Sequence, residues 1–333
     1  MKVAISIPVH EKPDVVIDQI NNIKKYVPDA VLVIHVSSEL KEYADLERFI
    51  ANENSVYMNP EHLMCGWGKI IDAHISNYKY LRSITDFDYI MFHASNDMYI
   101  RKGVEKYISQ FDAGFHVHKV FKISRWWPSV CALEDPVVAE ILHLIDEDSI
   151  VATQVESSFY SRVLFDEIVE TIENARALTA QNTRLNYEKN YTREEVYFST
   201  IANHLMLERG LHRGFPTTYS EVHDFDRALW KKQHVTWGIY HRLGLNKLIP
   251  RASYDKFEKD YSDRFAEKNK TALTVHKVKK LIKNPSAFLK THLFLNDSVA
   301  RYRLYGEEIF SVKRVPRDIN NPLRVYINEL KET

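Results

Sequence analysis

The amino-acid sequence predicts an α/β fold, with a mostly parallel sheet flanked by helices. Three observations predict it. Short runs rich in β-branched residues recur through the N-terminal third. Segments with apolar residues at helical spacing separate them. The two kinds alternate strictly, which is the signature of βαβ units.

Taken in order, residues 2–9 (KVAISIPV) read as a buried strand. Residues 12–27 read as a helix, with Pro13 at its start and Val15, Val16, Ile20 and Ile23 on one face. Residues 30–38 are a second buried strand, 38–52 a second helix and 55–59 a short third strand. Residues 66–84 are a third helix, where Trp67 is expected to pack helix against sheet, and 88–95 a fourth strand. That strand runs out into Ser95-Asn96-Asp97, with a helix expected from about Arg101 or Gly103. Ligands on parallel sheets bind beyond the carboxyl ends of the strands, so these three polar residues sit at the expected rim of a cleft. Residues 103–111 form a helix, 114–130 one or two strands, and 135–145 and 159–178 two further helices. Residues 192–210 form a strong helix, with Thr192 and Glu195 spaced as a capping box and Gly210 as its stop.

Charge excludes several function classes. Lys+Arg and Asp+Glu are both 45, so no net field draws the chain to nucleic acid or to a membrane. The two cysteines, Cys65 and Cys131, form neither a disulfide framework nor a metal spacing and suggest a reducing compartment. The opening residues lack a signal peptide's apolar region, and no later run has the length to span a bilayer. A cytoplasmic protein is expected, with the Asn190-Tyr191-Thr192 glycosylation triplet unused. There is no G-x-G-x-x-G after the first strand, no P-loop, no C-x-x-C, no H-E-x-x-H and no G-x-S-x-G. Chemistry must come from carboxylates, amides and cations.

Four segments in order carry a resemblance: ISIPVHEKPDVVIDQI, VIHVSS, SVYMNPEHLMCGWGKIIDAHISNYKYL and FDYIMFHASNDMYI. Together they resemble the core-2/I-branching N-acetylglucosaminyltransferase and peptide O-xylosyltransferase family. The matches are His10, Ile34-His35-Val36, Trp67 and residues 93–100, over roughly residues 2–110. The resemblance implies a GT-A fold, a nucleotide-sugar donor (a UDP-sugar), inversion at the anomeric carbon, no cofactor and no divalent metal. It implies a donor site at Val9, His10, Ser37 and Asp97. The family's aspartate after Ile-His-Val is Ser37 here, which leaves the nucleotide base open.

The same resemblance places a catalytic base on Glu195, with Glu194 beside it on the acceptor side, by aligning Thr200-Ile201. Inverting transfer needs such a carboxylate to take the acceptor's proton; a capping-box glutamate is the plain structural alternative. Lys268 matches the family's diphosphate-binding lysine, with Arg251 and Arg264 as partners, or all three belong to a solvated helix face. Glu156 falls where the family lines its acceptor site. Ser95, Asn96, Trp126 and Trp127 complete the acceptor candidates, since paired aromatics suit a sugar's apolar face or else plug the core. Asp97 recognises a sugar hydroxyl or caps a helix.

Residues 1–270 are expected to form the catalytic domain and 271–333 a C-terminal extension. Within the extension, residues 275–295 alternate Lys277, Lys279, Lys280, Lys283 and Lys290 with Val278, Leu281, Ile282, Phe288 and Leu289. This basic amphipathic segment either lies on an anionic membrane surface or docks its apolar face on the protein. It looks like tails on bacterial capsule and O-antigen transferases. The expected reaction is therefore sugar transfer to a glycan or lipid-linked saccharide in surface-polysaccharide synthesis (capsule or lipopolysaccharide), at the inner membrane face. A metal-dependent transferase using Asp97 and a non-catalytic glycan-binding module are the alternatives.

Overall fold

The computed structural model describes residues 1–120, 131–182, 189–219, 273–283 and 309–330. Its fold class is α/β. A seven-stranded, mostly parallel sheet is flanked by helices on both faces. The first half alternates as the sequence predicts: β1 (Val3–Val9), α1 (Pro13–Tyr26), β2 (Val31–Val36), α2 (Ala44–Ala51), β3 (Val56–Met58), α3 (Ile71–Ile84) and β4 (Tyr89–Phe92). Then come β5 (Met98–Tyr99), α4 (Val104–Ile108), β6 (Ala113–Gly114), β7 (His118–Val120), α5 (Pro136–Leu144), β8 (Ile150–Ala152) and β9 (Phe159–Ser161). They are followed by α6 (Arg162–Asn182), α7 (Glu194–Arg209), β10 (Arg213–Gly214), β11 (Thr218–Tyr219), α8 (Val275–Lys283), β12 (Ser311–Val312) and α9 (Pro322–Glu329).

The large sheet runs β10-β6-β9-β4-β1-β2-β3. β9 is antiparallel to both of its neighbours, and the other pairings are parallel. Side chains on β1 and β2 alternate between two cores, as the two-residue period of a strand requires. Val3, Ile5, Ile7 and Val9, with Leu32, Ile34 and Val36, face the α1 and α2 layer. Ala4, Val31 and Val33 face α3, α6 and α7. On that second face Ser6 meets polar residues of α3: His74 Nδ1 lies 2.8 Å from Ser6 Oγ, and Asn77 donates to Ser6 Oγ at 2.9 Å. Burial pushes the His74 pKa down to about 3, so this ring stays neutral.

Three local expectations change. Residues 159–161 form a strand, not the start of a helix; the chain passes from β9 into α6 with no intervening turn. Trp67 does not pack α3 against the sheet but stands 50% exposed in the loop before that helix. The last long helix starts after Arg193 with no side-chain cap, because the Thr192 hydroxyl donates to the Glu195 carboxylate instead (2.7 Å). Gly210 stops it in the left-handed conformation at φ +62°, as expected.

Beyond residue 271, the described residues are built into the rim of the sheet. β12 lies between β11 and β5 in a second, three-stranded sheet. α8 buries Val278 and Leu281 in a cluster with Met98, Ile100, Val312, Val315, Leu323 and Ile327. Its apolar face is thus turned to the protein, and the Lys279 ammonium sits 5.3 Å from the Tyr326 ring centroid. Residues 284–295 of the predicted amphipathic segment, Lys290 among them, lie outside the described residues. α9 is fastened to α1: the fully buried Arg324 guanidinium pairs with Asp18, and Lys25 donates to the carbonyls of Asn328 (2.9 Å) and Leu330 (2.7 Å). No helix among the described residues is long and apolar enough to cross a membrane.

Candidate active site

The carboxyl ends of β1, β2 and β4 open on one rim, and the segment from β12 to Arg317 crosses it. Val315 exchanges backbone and side-chain bonds with Asn96: its N–H donates to the Asn96 carbonyl (3.2 Å), and its carbonyl accepts from Asn96 Nδ2 (3.3 Å). Arg317 pairs with Glu11, just past β1, and Lys313 pairs with Glu156, just before β9. One short cationic strap therefore touches the ends of three strands that are far apart in sequence.

Beneath the strap lie three buried carboxylates. Glu156, Glu194 and Glu195 are close enough to repel one another. Burial pushes the Glu194 carboxyl up to about 8, and neither of its oxygens has a hydrogen-bond partner from another residue. Burial, reinforced by Glu156, raises Glu195 well above the ordinary carboxyl value. Burial also works to raise Glu156, but Lys313 beside it outweighs that and holds it below its ordinary value. Glu156 Oε2 is likewise without a partner. Of the two neighbours on α7, Glu195 is the more accessible, 9% exposed against 1% for Glu194.

The predicted rim residues are present, in varied roles. Val9 buries its side chain in the core, and its carbonyl accepts from the Ser37 N–H (2.8 Å). His10 is exposed beside Glu11, with its pKa lowered chiefly by partial desolvation. Ser37 is buried, and its hydroxyl accepts from the Cys65 N–H at 3.0 Å, tying the β3–α3 loop to the end of β2. Ser95 is buried, and its hydroxyl has no partner. Asp97 caps no helix. Its Oδ2 accepts from the Ala94 N–H (2.9 Å) and lies 3.4 Å from His93 Nδ1, while its Oδ1 is unpartnered. Trp126, Trp127, Arg251, Arg264 and Lys268 lie outside the described residues.

Asp97, His93 and Ser157 form a line of contacts that resembles a hydrolase triad, with Ser157 Oγ 3.3 Å from His93 Nε2 and Ser157 at φ +54°. It is a brace rather than a nucleophile. Ser157 is fully buried, and its hydroxyl is shared with those of Thr218 and Ser311, which staples β11 and β12 to the large sheet.

Sequence reasoning missed Glu11, Lys313, Arg314 and Arg317. Nothing local marks Lys313, whose partner is 157 residues away. Among the described residues no three His, Cys, Asp or Glu side chains converge as a metal site. What the arrangement offers is a set of buried acceptor oxygens awaiting donors, next to cations. Hydroxyl groups of a ligand are suited to the first, and phosphate oxygens to the second.

No family model and no curated protein matches the chain. Among solved structures it is similar to S. aureus TarS. TarS 1-349 in complex with UDP aligns at 9% identity and a TM-score of 0.30, over 56% of this chain and 68% of that one. TarS aligns at 10% identity and a TM-score of 0.30, over 56% of this chain and 41% of that one. A second TarS 1-349 structure aligns at 9% identity and a TM-score of 0.28, over 62% and 72% of the two chains. Likeness at this level carries no argument about activity.

Proposed function

We propose that the protein is an inverting glycosyltransferase of GT-A type that moves a sugar from a nucleotide-sugar, a UDP-sugar on this reading, to a glycan hydroxyl in surface-polysaccharide synthesis. The observation that carries the reading is the buried Glu156, Glu194 and Glu195 cluster under a cationic strap, at the rim of a mostly parallel sheet. Glu195 is the base. Burial favours its protonated form, so it acts as base only after that proton has left to solvent; ionised, it is a strong proton acceptor, and its position on α7 leaves it the better exposed of the pair. Lys313, with Arg314 and Arg317 on the same strap, neutralises the departing diphosphate, a role in which Lys268, Arg251 and Arg264 remain further candidates. Glu194, Glu156 and Ser95 take hydroxyls of the acceptor, while Ser37 and His10 border the donor.

A panel of nucleotide-sugars and saccharide acceptors, with and without EDTA, tests this by product formation. Turnover is expected in both arms, with Glu195→Gln losing about 10²- to 10⁴-fold in kcat, the usual worth of a general base. Loss of turnover in EDTA would favour metal-assisted transfer through Asp97. Nucleotide binding with no product for any pair would leave a glycan-binding module. A Glu195→Gln enzyme turning over normally removes the base assignment.

A further inference from the structure

We propose that the exposed indole of Trp67 is the platform on which a pyranose ring of the acceptor stacks. The inference rests on the transferase reading above for the word acceptor, but not for the presence of a saccharide site. Trp67 was expected inside the protein, and its exposure needs a reason, because an indole is the largest apolar body a side chain offers. Met64, also on this loop, is 43% exposed, with the Lys69 ammonium 3.2 Å from its sulfur.

The loop is built to hold that surface still. At one side, Leu63 N–H donates to His35 Nε2 (2.8 Å), Ser38 N–H to the Leu63 carbonyl (3.1 Å) and Cys65 N–H to Ser37 Oγ (3.0 Å). Within the loop, the Lys69 N–H donates to the Gly66 carbonyl at 2.9 Å. At the other side, Asn190 Nδ2 donates to the carbonyl of Trp67 itself, at 2.9 Å. Gly68 adopts φ +73° with its α-carbon pressed on the same residue, so that a Cβ there would come within 2.3 Å of Asn190 Oδ1. An L side chain is disfavoured at that position on both counts.

These ties decide where the indole stands. Ser37 ends β2 on the donor rim, and Asn190 begins the five-residue approach to Glu195. Five extended residues reach at most about 17 Å, so the residue that ties the loop lies within about that distance of the Glu195 backbone. A rigid, half-exposed aromatic on a loop tied at that distance from a set of unpartnered acceptor oxygens matches the two faces of one ligand class. The C–H face of one pyranose covers the indole, and hydroxyls farther along the same oligosaccharide reach the carboxylates. Holding the platform in place before the ligand arrives removes an ordering cost from binding.

The test uses the full chain and its Trp67→Ala, Trp67→Phe and Gly68→Ala variants. Binding of a panel of pyranosides and N-acetylglucosamine-containing disaccharides is followed by saturation-transfer NMR, and binding of UDP by thermal shift. The expected result is at least one saccharide bound by the parent protein and weakened by about tenfold or more in Trp67→Ala. Trp67→Phe should keep most of that affinity and Gly68→Ala should lose it, while UDP binding stays level in Trp67→Ala and Trp67→Phe. Unchanged saccharide affinity in Trp67→Ala overturns the proposal, as does a parent protein that binds UDP but no saccharide in the panel. Loss of sedimentation with anionic lipid vesicles in Trp67→Ala, with saccharide affinity unchanged, overturns it in favour of a membrane surface. A parent protein that binds no nucleoside diphosphate, yet binds saccharide through Trp67, defeats the transferase reading and leaves this one standing.

Discussion

The two ends of the β1–β4 half of the sheet are held together by different forces. Its body is apolar: all seven residues of β1 and all six of β2 are buried, and only Ser6 and His35 interrupt the aliphatic run. Its rim is polar and ionic, closed by Asn96–Val315, Glu11–Arg317, Glu156–Lys313 and the Ser157–Thr218–Ser311 hydroxyls. Burial in the body is non-directional and tolerates small shifts, whereas each rim contact leaves an expensive orphan if its partner moves. The body is therefore a scaffold and the rim a place where geometry is tightly specified.

The sharpest way to break this contrast is at Lys313. Lys313→Ala strands the buried Glu156 carboxylate and should cost about 3–5 kcal/mol in urea unfolding. Adding Glu156→Gln should return most of the stability but none of the nucleotide affinity. A single variant as stable as the parent would show that the rim is not held by this pair. In the body, Ile5→Ala removes a side chain with 0% exposure and should cost about 2–5 kcal/mol while leaving nucleotide affinity unchanged. A parallel fall in affinity would mean that scaffold and rim are not separable.

The smallest effect, taken per pH unit, is on the pH dependence of stability. Glu194 holds its proton more tightly folded, with a pKa of about 8, than unfolded, near 4.5. Its stabilising contribution is complete below the unfolded value and is lost as pH rises through about 8. Over that window Glu194 should contribute a fall of up to about 1.4 kcal/mol per pH unit, and Glu194→Gln should remove that share while the share of Glu195, raised in the same direction, stays. Unfolding curves at several pH values with identical slopes for parent and variant would rule this out.

The body was legible in the sequence because its signals are local. Pro13 and the Val15, Val16, Ile20, Ile23 stripe mark α1 before any tertiary contact is known, and all four apolar residues are buried. β9 was missed because its three residues run directly into α6, with no glycine or proline to mark the change. At the rim, Ser95, Asn96 and Asp97 could be placed from strand polarity alone; Glu194 and Glu195 were singled out only through the resemblance. Lys313 and Arg317 could not, since ion pairs between residues hundreds of positions apart leave no period to read. Trp67 was misplaced by treating a large apolar residue as buried; the glycines on either side, Gly66 and Gly68, were the available sign of a loop.

The clasp between α9 and α1 has a consequence for how the molecule is born. Arg324 and its partner Asp18 are 306 positions apart, so on the ribosome the first helix emerges long before its anchor exists. N-terminal units usually form first during synthesis. The parallel strands can thus assemble early around their own aliphatic interior, while α1 waits for its C-terminal partner. The rim contacts of Lys313, Val315 and Arg317, made by residues just upstream of that clasp, would then close at the same late stage.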